Sequence, residues 1–273
     1  MTRMPRLGLG TWHMGESRGD RSREVAALRL GLDLGITLID TAEMYGAGGA
    51  EEVVGEAIRG RRDGVYVVTK FYPHHAGERQ LRTACEGSLK RLGIDRIDCY
   101  LYHWRGSVPL AETVPALQEL VAAGKIARWG VSNFDVSGLE ELAAVPGGDQ
   151  VAANQVLYNL NERGIEFDLL AWCGARGIDV MAYSPLDEGR LANHPALAKV
   201  AKRLGGTPAQ VALAWVLRDP RVTSTLIGAS SVAQLEGNVA ALDRLELSPD
   251  ELAEIDRHAT DSGINLWAAL SRE

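Results

Sequence analysis

The order of strand-like and helix-like segments constrains the fold of this chain more than any other feature. Short apolar runs typical of buried parallel strands alternate eight times with longer segments of helical periodicity. The predicted strands run from Arg6 to Thr11, Thr37 to Asp40, Val65 to Thr69, Ile97 to Tyr102, Ile126 to Val131, Val151 to Asn154, Ile178 to Ala182 and Val222 to Ile227. Eight such units predict a parallel (β/α)8 barrel, with a doubly wound open sheet as the alternative.

The predicted helices lie between and after these strands. They run from Ser22 to Leu34, Glu51 to Arg59, Glu78 to Leu92, Leu110 to Ala123, Ser137 to Ala144, Ile165 to Ala175, His194 to Leu204, Pro208 to Arg218, Val232 to Ala241 and Pro249 to His258. Because α/β barrels of this length are routinely one domain, residues 1–273 are expected to form a single barrel domain.

Composition narrows the class of protein. The chain is 46% hydrophobic and 24% charged, as in soluble globular proteins. It carries a net charge of −7 without a basic run, so neither nucleic acid nor a membrane is an expected partner. No signal-peptide pattern opens the chain, and its three cysteines, Cys85, Cys99 and Cys173, are isolated. A cytoplasmic protein is therefore expected, and the expected oligomeric state is a monomer.

Polar side chains recur where the predicted strands end. Asp40 follows the second strand with Tyr45 in its loop, Lys70 follows the third strand, and His103 follows the fourth. The later strands are followed by Ser132, Asn133, Gln155, Tyr183 and Gly228. Each one alone is more often structural than catalytic. Because the carboxyl ends of barrel strands meet at one mouth, their recurrence favours an active site there.

The first four of these side chains suggest a definite chemistry. Tyrosine is a weak acid with a pKa of about 10, and a neighbouring ammonium lowers that pKa. We expect Lys70 to act on Tyr45 in this way and Asp40 to hold Lys70 charged. His103 would hydrogen-bond a substrate carbonyl while Tyr45 protonates the developing alkoxide. Since no side chain supplies hydride, a nicotinamide is implied.

Several stretches together identify a resemblance. They are Leu7 to Trp12, Leu38 to Tyr45, Val67 to Lys70, Leu101 to Trp104, Gly124 to Phe134, Asn154 to Val156, Ala182 to Leu186 and Leu226 to Ser231. Over essentially its full length the chain resembles the aldo-keto reductases, and within that family the bacterial methylglyoxal reductases. The resemblance implies a (β/α)8 barrel, NADPH-dependent carbonyl reduction and a catalytic tetrad of Asp40, Tyr45, Lys70 and His103.

The resemblance also implies cofactor contacts. Ser132, Asn133 and Gln155 would bind the nicotinamide carboxamide, and Tyr183 would stack on the ring. The other implied cofactor positions are Gly10, Thr11, Trp12, Asp40, Ser184, Leu186, Gly228, Ser230, Gln234 and Asn238. This family binds dinucleotide without a Rossmann fold, and no strand here is followed by G-x-G-x-x-G.

The chain departs from the family pattern at two places. Only a few residues precede the first strand, where relatives have a hairpin that plugs the barrel floor. No Lys or Arg stands between Leu226 and Asn238, where many relatives bind the 2′-phosphate. The expected cofactor is NADPH, with NADH as an alternative and a weaker preference than in Lys- or Arg-bearing relatives.

The expected substrates are small aldehydes and dicarbonyls such as methylglyoxal, rather than large steroids. The expected pocket is lined by Trp12, Tyr45, His103, Trp104 and Trp267. No metal is expected, because no His-x-His pair or zinc-type spacing is present and the adjacent His74 and His75 do not easily share one ion.

Two further hypotheses compete with carbonyl reduction. A class I aldolase would use Lys70 to form a Schiff base, although a nearby Asp40 would keep that lysine protonated. A barrel of this kind can also act as a cofactor-sensing regulatory subunit, and the intact tetrad argues against lost catalysis.

Overall fold

The computed structural model describes residues 4–16, 21–228, 235–239 and 246–257. Eight parallel strands form a closed barrel in the order β1 to β8, and β8 pairs with β1. The strands are β1 Leu7–Gly10, β2 Leu38–Asp40, β3 Tyr66–Phe71, β4 Ile97–Tyr102, β5 Ile126–Ser132, β6 Ala153–Leu157, β7 Asp179–Tyr183 and β8 Val222–Gly228. The predicted barrel is confirmed, and the open sheet is wrong.

Ten helices surround the barrel within the described part of the chain. They are α1 Arg21–Asp33, α2 Gly49–Ile58, α3 Glu78–Leu92, α4 Leu110–Ala122, α5 Val136–Ala143, α6 Leu169–Arg176, α7 Pro195–Leu204, α8 Pro208–Leu217, α9 at residues 235–239, and α10 Pro249–Asp256. None of the described helices is both long enough and apolar enough to cross a bilayer.

Five strands end later than their apolar runs predicted, β5, β7 and β8 by one residue each, β3 by two and β6 by three. β3 continues to Phe71 and β6 to Leu157, so Lys70 and Gln155 lie within strands rather than after them. Strand pairing is made by the backbone, and Lys70 pairs with Leu101 whatever its side chain. The charged side chain is therefore held on a strand rather than on a loop.

Alternation along the strands decides which side chains enter the barrel. Leu38 and Val68 belong to the apolar cluster inside the barrel, whereas Ile39 and Val67 belong to the layer between strands and helices. Because side chains alternate with a period of two, the residues two places further on, Asp40 and Lys70, also point inward. The same alternation on β4 directs His103 inward.

The barrel floor is closed without a hairpin among the described residues. Met4 is only 3% exposed and packs in the interior cluster with Tyr66. Arg128 Nε donates to the Tyr66 hydroxyl over 2.6 Å, and another Arg128 nitrogen lies 2.9 Å from Asp179. Among the described residues, Met4 and this polar group of three side chains therefore lie together at the floor of the barrel.

Candidate active site

Lys70 lies at the centre of the carboxyl-end mouth of the barrel and is fully buried. Its Nζ donates to Asp40 Oδ2 over 2.8 Å and to the Thr41 carbonyl over 2.9 Å. It lies 3.2 Å from the Tyr45 hydroxyl, within hydrogen-bond distance. All three hydrogen-bonding directions of an ammonium group are thus occupied, one of them by the phenol.

Burial by itself would lower the pKa of Lys70, but Asp40 and Tyr45 together outweigh burial and raise it. Lys70 is therefore an ammonium group at neutral pH. Asp40 can accept but not donate hydrogen bonds, and its second oxygen accepts from Gln155 Nε2 over 2.7 Å. The charge of Lys70 is matched by one carboxylate whose two oxygens are both engaged.

Tyr45 begins a short 3-10 turn after β2 and is half-buried. Its pKa is raised above the usual 10, first because desolvation disfavours the phenolate and despite the opposing charge of Lys70. Lys70 does lower this pKa, as expected, but the effect of burial is larger. Lys70 offsets only part of the desolvation, so Tyr45 holds its proton across the neutral range.

His103 follows β4 and is 7% exposed. Burial first, and then the charge of Lys70, lower its pKa from 6.5 to about 2, so the ring is neutral. Nδ1 is buried without a hydrogen-bond partner among the described residues. A ligand can therefore reach only Nε2, and a neutral ring with its proton on Nε2 can donate to an oxygen there. The ring lies edge-on to Tyr45 with centroids 5.9 Å apart.

A second group of polar side chains continues around the mouth from His103. Asn133 Nδ2 donates to the His103 carbonyl over 3.1 Å, and Asn133 Oδ1 accepts from the Tyr183 hydroxyl over 3.0 Å. Ser132 Oγ donates to the Gln155 carbonyl over 2.9 Å. Asn133 has φ +62°, a left-handed conformation that asparagine tolerates better than most residues. The ends of β5, β6 and β7 are thereby joined.

The loop after β7 is held in an unusual backbone conformation. Ser184, Asp187 and Glu188 all have φ values between +51° and +53°. Asn159 Nδ2 donates to the Ser184 carbonyl over 3.0 Å, and Asn161 Nδ2 donates to Asp187 Oδ2 over 2.8 Å. Such strain persists only where neighbouring groups fix the backbone, and it concentrates at ligand sites.

These groups fit a nicotinamide dinucleotide. The hydroxyl and amides of Ser132, Asn133 and Gln155 have the chemistry that a neutral carboxamide requires, and the Tyr183 ring lies at the end of β7 beside them. Gly228 lies at the end of β8 and is exposed.

The other implied cofactor positions are placed as follows. Gly10 ends β1, and Thr11 Oγ1 donates to the Asp40 carbonyl over 3.0 Å. Leu186 lies in the strained loop after β7, and Asn238 is buried on α9. Ser230, Gln234 and the pocket residue Trp267 lie outside the described residues.

Two tryptophans expected in the pocket are exposed to differing degrees. Trp12 is 53% exposed and stacks on His13, and Trp104 is 36% exposed with its ring 4.7 Å from that of His103. Tyr72 meets Trp104 edge-on at 6.3 Å. Trp104 thus forms an aromatic wall next to His103, whereas the Trp12 side chain is largely exposed after β1.

Sequence reasoning missed several groups that support the site. The Thr41 carbonyl accepts from Lys70, a backbone contact that no side-chain pattern reveals. Glu43 is buried and accepts from the Tyr72 amide and from His75 Nδ1. Its position in the sequence between Asp40 and Tyr45 could have identified Glu43 as a residue of the site. Within the described residues, no three His, Cys, Asp or Glu side chains are grouped to hold a metal.

The chain is similar to known proteins of one family. Residues 6–260 match the model of the aldo/keto reductase family. The chain is 50% identical to the methylglyoxal reductase YeaE of Escherichia coli over 93% of this chain and 90% of that protein. It is 32% identical to an L-glyceraldehyde 3-phosphate reductase of Escherichia coli O157:H7, covering 98% of this chain and 93% of that protein.

A solved structure is equally similar. The aldo/keto reductase from Klebsiella pneumoniae, crystallised with NADP and acetate, superposes with a TM-score of 0.92 at 52% identity. The match covers 96% of this chain and 93% of that one. Since the family model spans most of the chain and the relatives match almost end to end, this protein belongs to the aldo/keto reductase family.

Proposed function

We propose that this enzyme uses NADPH to reduce small aldehydes and dicarbonyls of the methylglyoxal type to alcohols. The observation that carries the proposal is the contact chain from Asp40 through Lys70 to the Tyr45 hydroxyl, with the neutral ring of His103 beside it. When bound, the nicotinamide would supply the hydride. The protein's own groups bind the carbonyl oxygen and deliver the proton.

Tyr45 is the proposed proton donor. Because its pKa is raised, the phenol carries its proton at neutral pH and is available as an acid. As the proton moves to the substrate oxygen, negative charge forms on the phenol oxygen 3.2 Å from the Lys70 ammonium. Lys70 stabilises that charge more than it stabilises the neutral phenol, which is the requirement for lowering the barrier.

His103 is proposed to orient the carbonyl. A neutral imidazole donates one hydrogen bond to the substrate oxygen from Nε2 without offering a competing acid. Its lowered pKa keeps it neutral throughout the working range. His103 and Tyr45 would then hold the same oxygen from two sides, which fixes the carbonyl carbon relative to the cofactor.

The proposed substrate class is supported by the aromatic side chains at the barrel mouth and by the similarity to known relatives. Trp104 and Tyr72 give an aromatic wall next to His103, suited to a small carbonyl compound. The Escherichia coli relative at 50% identity is a methylglyoxal reductase. We infer the same class here, and steroid turnover far above methylglyoxal turnover would contradict it.

NADPH is proposed as the cofactor because the groups at β5 to β8 fit a dinucleotide and the Klebsiella pneumoniae neighbour was solved with NADP. We further propose one barrel domain and a cytoplasmic location, on the support of three buried free cysteines. A monomer stays a prediction that light scattering on a sizing column would test.

The decisive experiment is Tyr45→Phe, assayed with methylglyoxal by loss of absorbance of the reduced nicotinamide. We expect kcat to fall at least about a thousandfold, near the upper part of the range for loss of one general acid. NADPH affinity, measured by protein fluorescence, should stay within about twofold because the cofactor contacts are unchanged. A variant that keeps most of its rate would exclude Tyr45 as the donor.

The aldolase alternative receives no support from this geometry. Schiff-base formation needs a neutral amine, whereas the raised pKa of Lys70 keeps it charged. Borohydride trapping of a carbonyl substrate on Lys70 without nicotinamide would reverse this conclusion.

A further inference from the structure

Glu51 is a fully buried carboxylate that the proposed chemistry does not use. It lies in the first turn of α2, on the outer side of the barrel wall. One oxygen accepts from the Thr69 hydroxyl over 2.6 Å, and the other accepts from Arg91 Nε over 2.6 Å. A carboxylate without exposure is costly unless it is paired and hydrogen-bonded, and here both oxygens have charged or polar partners.

Thr69 connects Glu51 to the catalytic strand. It precedes Lys70 on β3, and alternation turns its side chain outward while Lys70 points into the barrel. The hydroxyl that meets Glu51 and the ammonium that meets Tyr45 are therefore on consecutive residues and opposite faces of β3.

Arg91 connects the same carboxylate to the turn that carries Tyr45. Its side chain packs directly on Gly48, because an added Cβ there would lie 2.6 Å from Arg91 Cδ. Gly48 ends the 3-10 turn that Tyr45 begins and has φ +92°, which favours glycine. A longer side chain at this position would push Arg91 away from Glu51.

The turn is also closely packed on its opposite side, against the loop after β1. An added Cβ on Gly46 would lie 2.9 Å from the Met14 carbonyl oxygen, and one on Gly49 would lie 2.5 Å from the Gly15 carbonyl oxygen. The Tyr45 turn is therefore enclosed between the loop after β1 and the Arg91 side chain. A shift of Arg91 would be transmitted to the turn.

We propose that Glu51 is a positioning residue that sets the separation of the Tyr45 hydroxyl and the Lys70 ammonium by binding Thr69 on one side and Arg91 on the other. The proposal rests on the proposed function, in which that 3.2 Å separation governs proton transfer. Displacements of an ångström or less can change rates by one or two orders of magnitude. Glu51 itself lies outside the barrel and is not expected to touch substrate or cofactor.

Thr69→Val is the sharpest test, because it removes the hydroxyl with little change in shape and leaves the Glu51–Arg91 pair intact. Substitution of Glu51 itself would strip Arg91 of its partner and risk unfolding. Thr69→Ser restores the hydroxyl and is the rescue variant. Thr225→Val is the matched control, since Thr225 is a fully buried strand threonine whose hydroxyl has no partner among the described residues.

We expect Thr69→Val to lower kcat for methylglyoxal about five- to tenfold, with KM and the Kd for NADPH within twofold. Thr69→Ser and Thr225→Val should both stay within twofold of the parent kcat. A second variant, Arg91→Lys, keeps the charge but loses Nε, and it should lower kcat about threefold with the same unchanged NADPH Kd. Circular dichroism would confirm that each variant is folded.

The inference is overturned if Thr69→Val and Arg91→Lys keep kcat within twofold, if NADPH affinity falls in parallel with kcat, or if Thr69→Ser fails to rescue. Tyr45→Phe assayed beside them separates the two proposals. An active Tyr45→Phe variant removes the proposed function, whereas an inactive Tyr45→Phe with unaffected Thr69→Val removes only the role of Glu51.

Discussion

Lys70 Nζ and Asp40 Oδ2 lie 2.8 Å apart with side-chain exposures of 0% and 5%, so the barrel mouth contains an ion pair sealed from water. Gln155 occupies the second Asp40 oxygen and Tyr45 the remaining direction of Lys70. Removing either charge leaves the other buried without its counter-charge. The pair therefore links the stability of the barrel to the chemistry at Tyr45.

Asp40→Asn should destabilise the protein by about 3 kcal/mol at pH 7, because the buried ammonium loses its counter-charge. Asparagine also offers one acceptor oxygen where Lys70 and Gln155 both donate. Urea unfolding would measure the loss. In the double variant with Lys70→Met, the loss should be smaller than the sum of the single losses by at least about 1 kcal/mol. Additive losses would show that the pair is not coupled.

The lowered pKa of His103 predicts that the folded protein loses stability in acid. Its pKa is about 2 in the folded protein, against 6.5 for a solvated histidine of the unfolded chain. The unfolded chain therefore binds a proton that the folded chain does not, and stability is lost as the pH falls below about 6.5. From pH 7 to pH 5 the linkage amounts to about 2 kcal/mol.

His103→Gln removes this titration while keeping a polar side chain of similar reach. The parent should lose about 2 kcal/mol more than the variant between pH 7 and pH 5 in urea unfolding. The other five histidines are common to both proteins and cancel in the comparison. Equal losses in the two proteins would mean that His103 is protonated in the folded state.

The three cysteines should be unreactive toward thiol reagents in the native protein. Cys85, Cys99 and Cys173 are buried, and desolvation raises the pKa of each thiol to about 12. Since the thiolate is the reactive form, a thiol reagent at pH 8 should label none of them within an hour. Unfolding in guanidinium should expose all three thiols to the reagent. Fast labelling of the native protein would contradict this burial.

The preference of the enzyme for NADPH over NADH should be modest. With no Lys or Arg between Leu226 and Asn238, the 2′-phosphate would be bound mainly by neutral hydrogen-bonding groups. We expect kcat/KM with NADPH to exceed that with NADH. Ser231→Lys should widen the ratio about tenfold, equivalent to about 1.4 kcal/mol from one charge-assisted contact. Equal or better turnover with NADH would show that the preference is wrong.

Much of the fold was readable because it follows from local patterns. The bounds of β4 and α3 were predicted to the residue, since their apolar periodicity is unambiguous and Gly93 ends the helix. The stretch predicted as one helix from Ile165 instead contains a 3-10 turn, Gly164–Glu166, followed by α6. Periodicity alone did not show that break.

The sequence alone determined the eight-unit barrel, the gathering of Asp40, Lys70 and His103 at one mouth, and the family resemblance, because periodicity and motifs are properties of neighbouring residues. Only the tertiary structure decided that the pKa of Tyr45 rises and that Glu51 is buried. Both depend on desolvation and on partners from distant segments. A linear pattern specifies which groups are present, whereas solvent exclusion and distance decide how strongly their charges act.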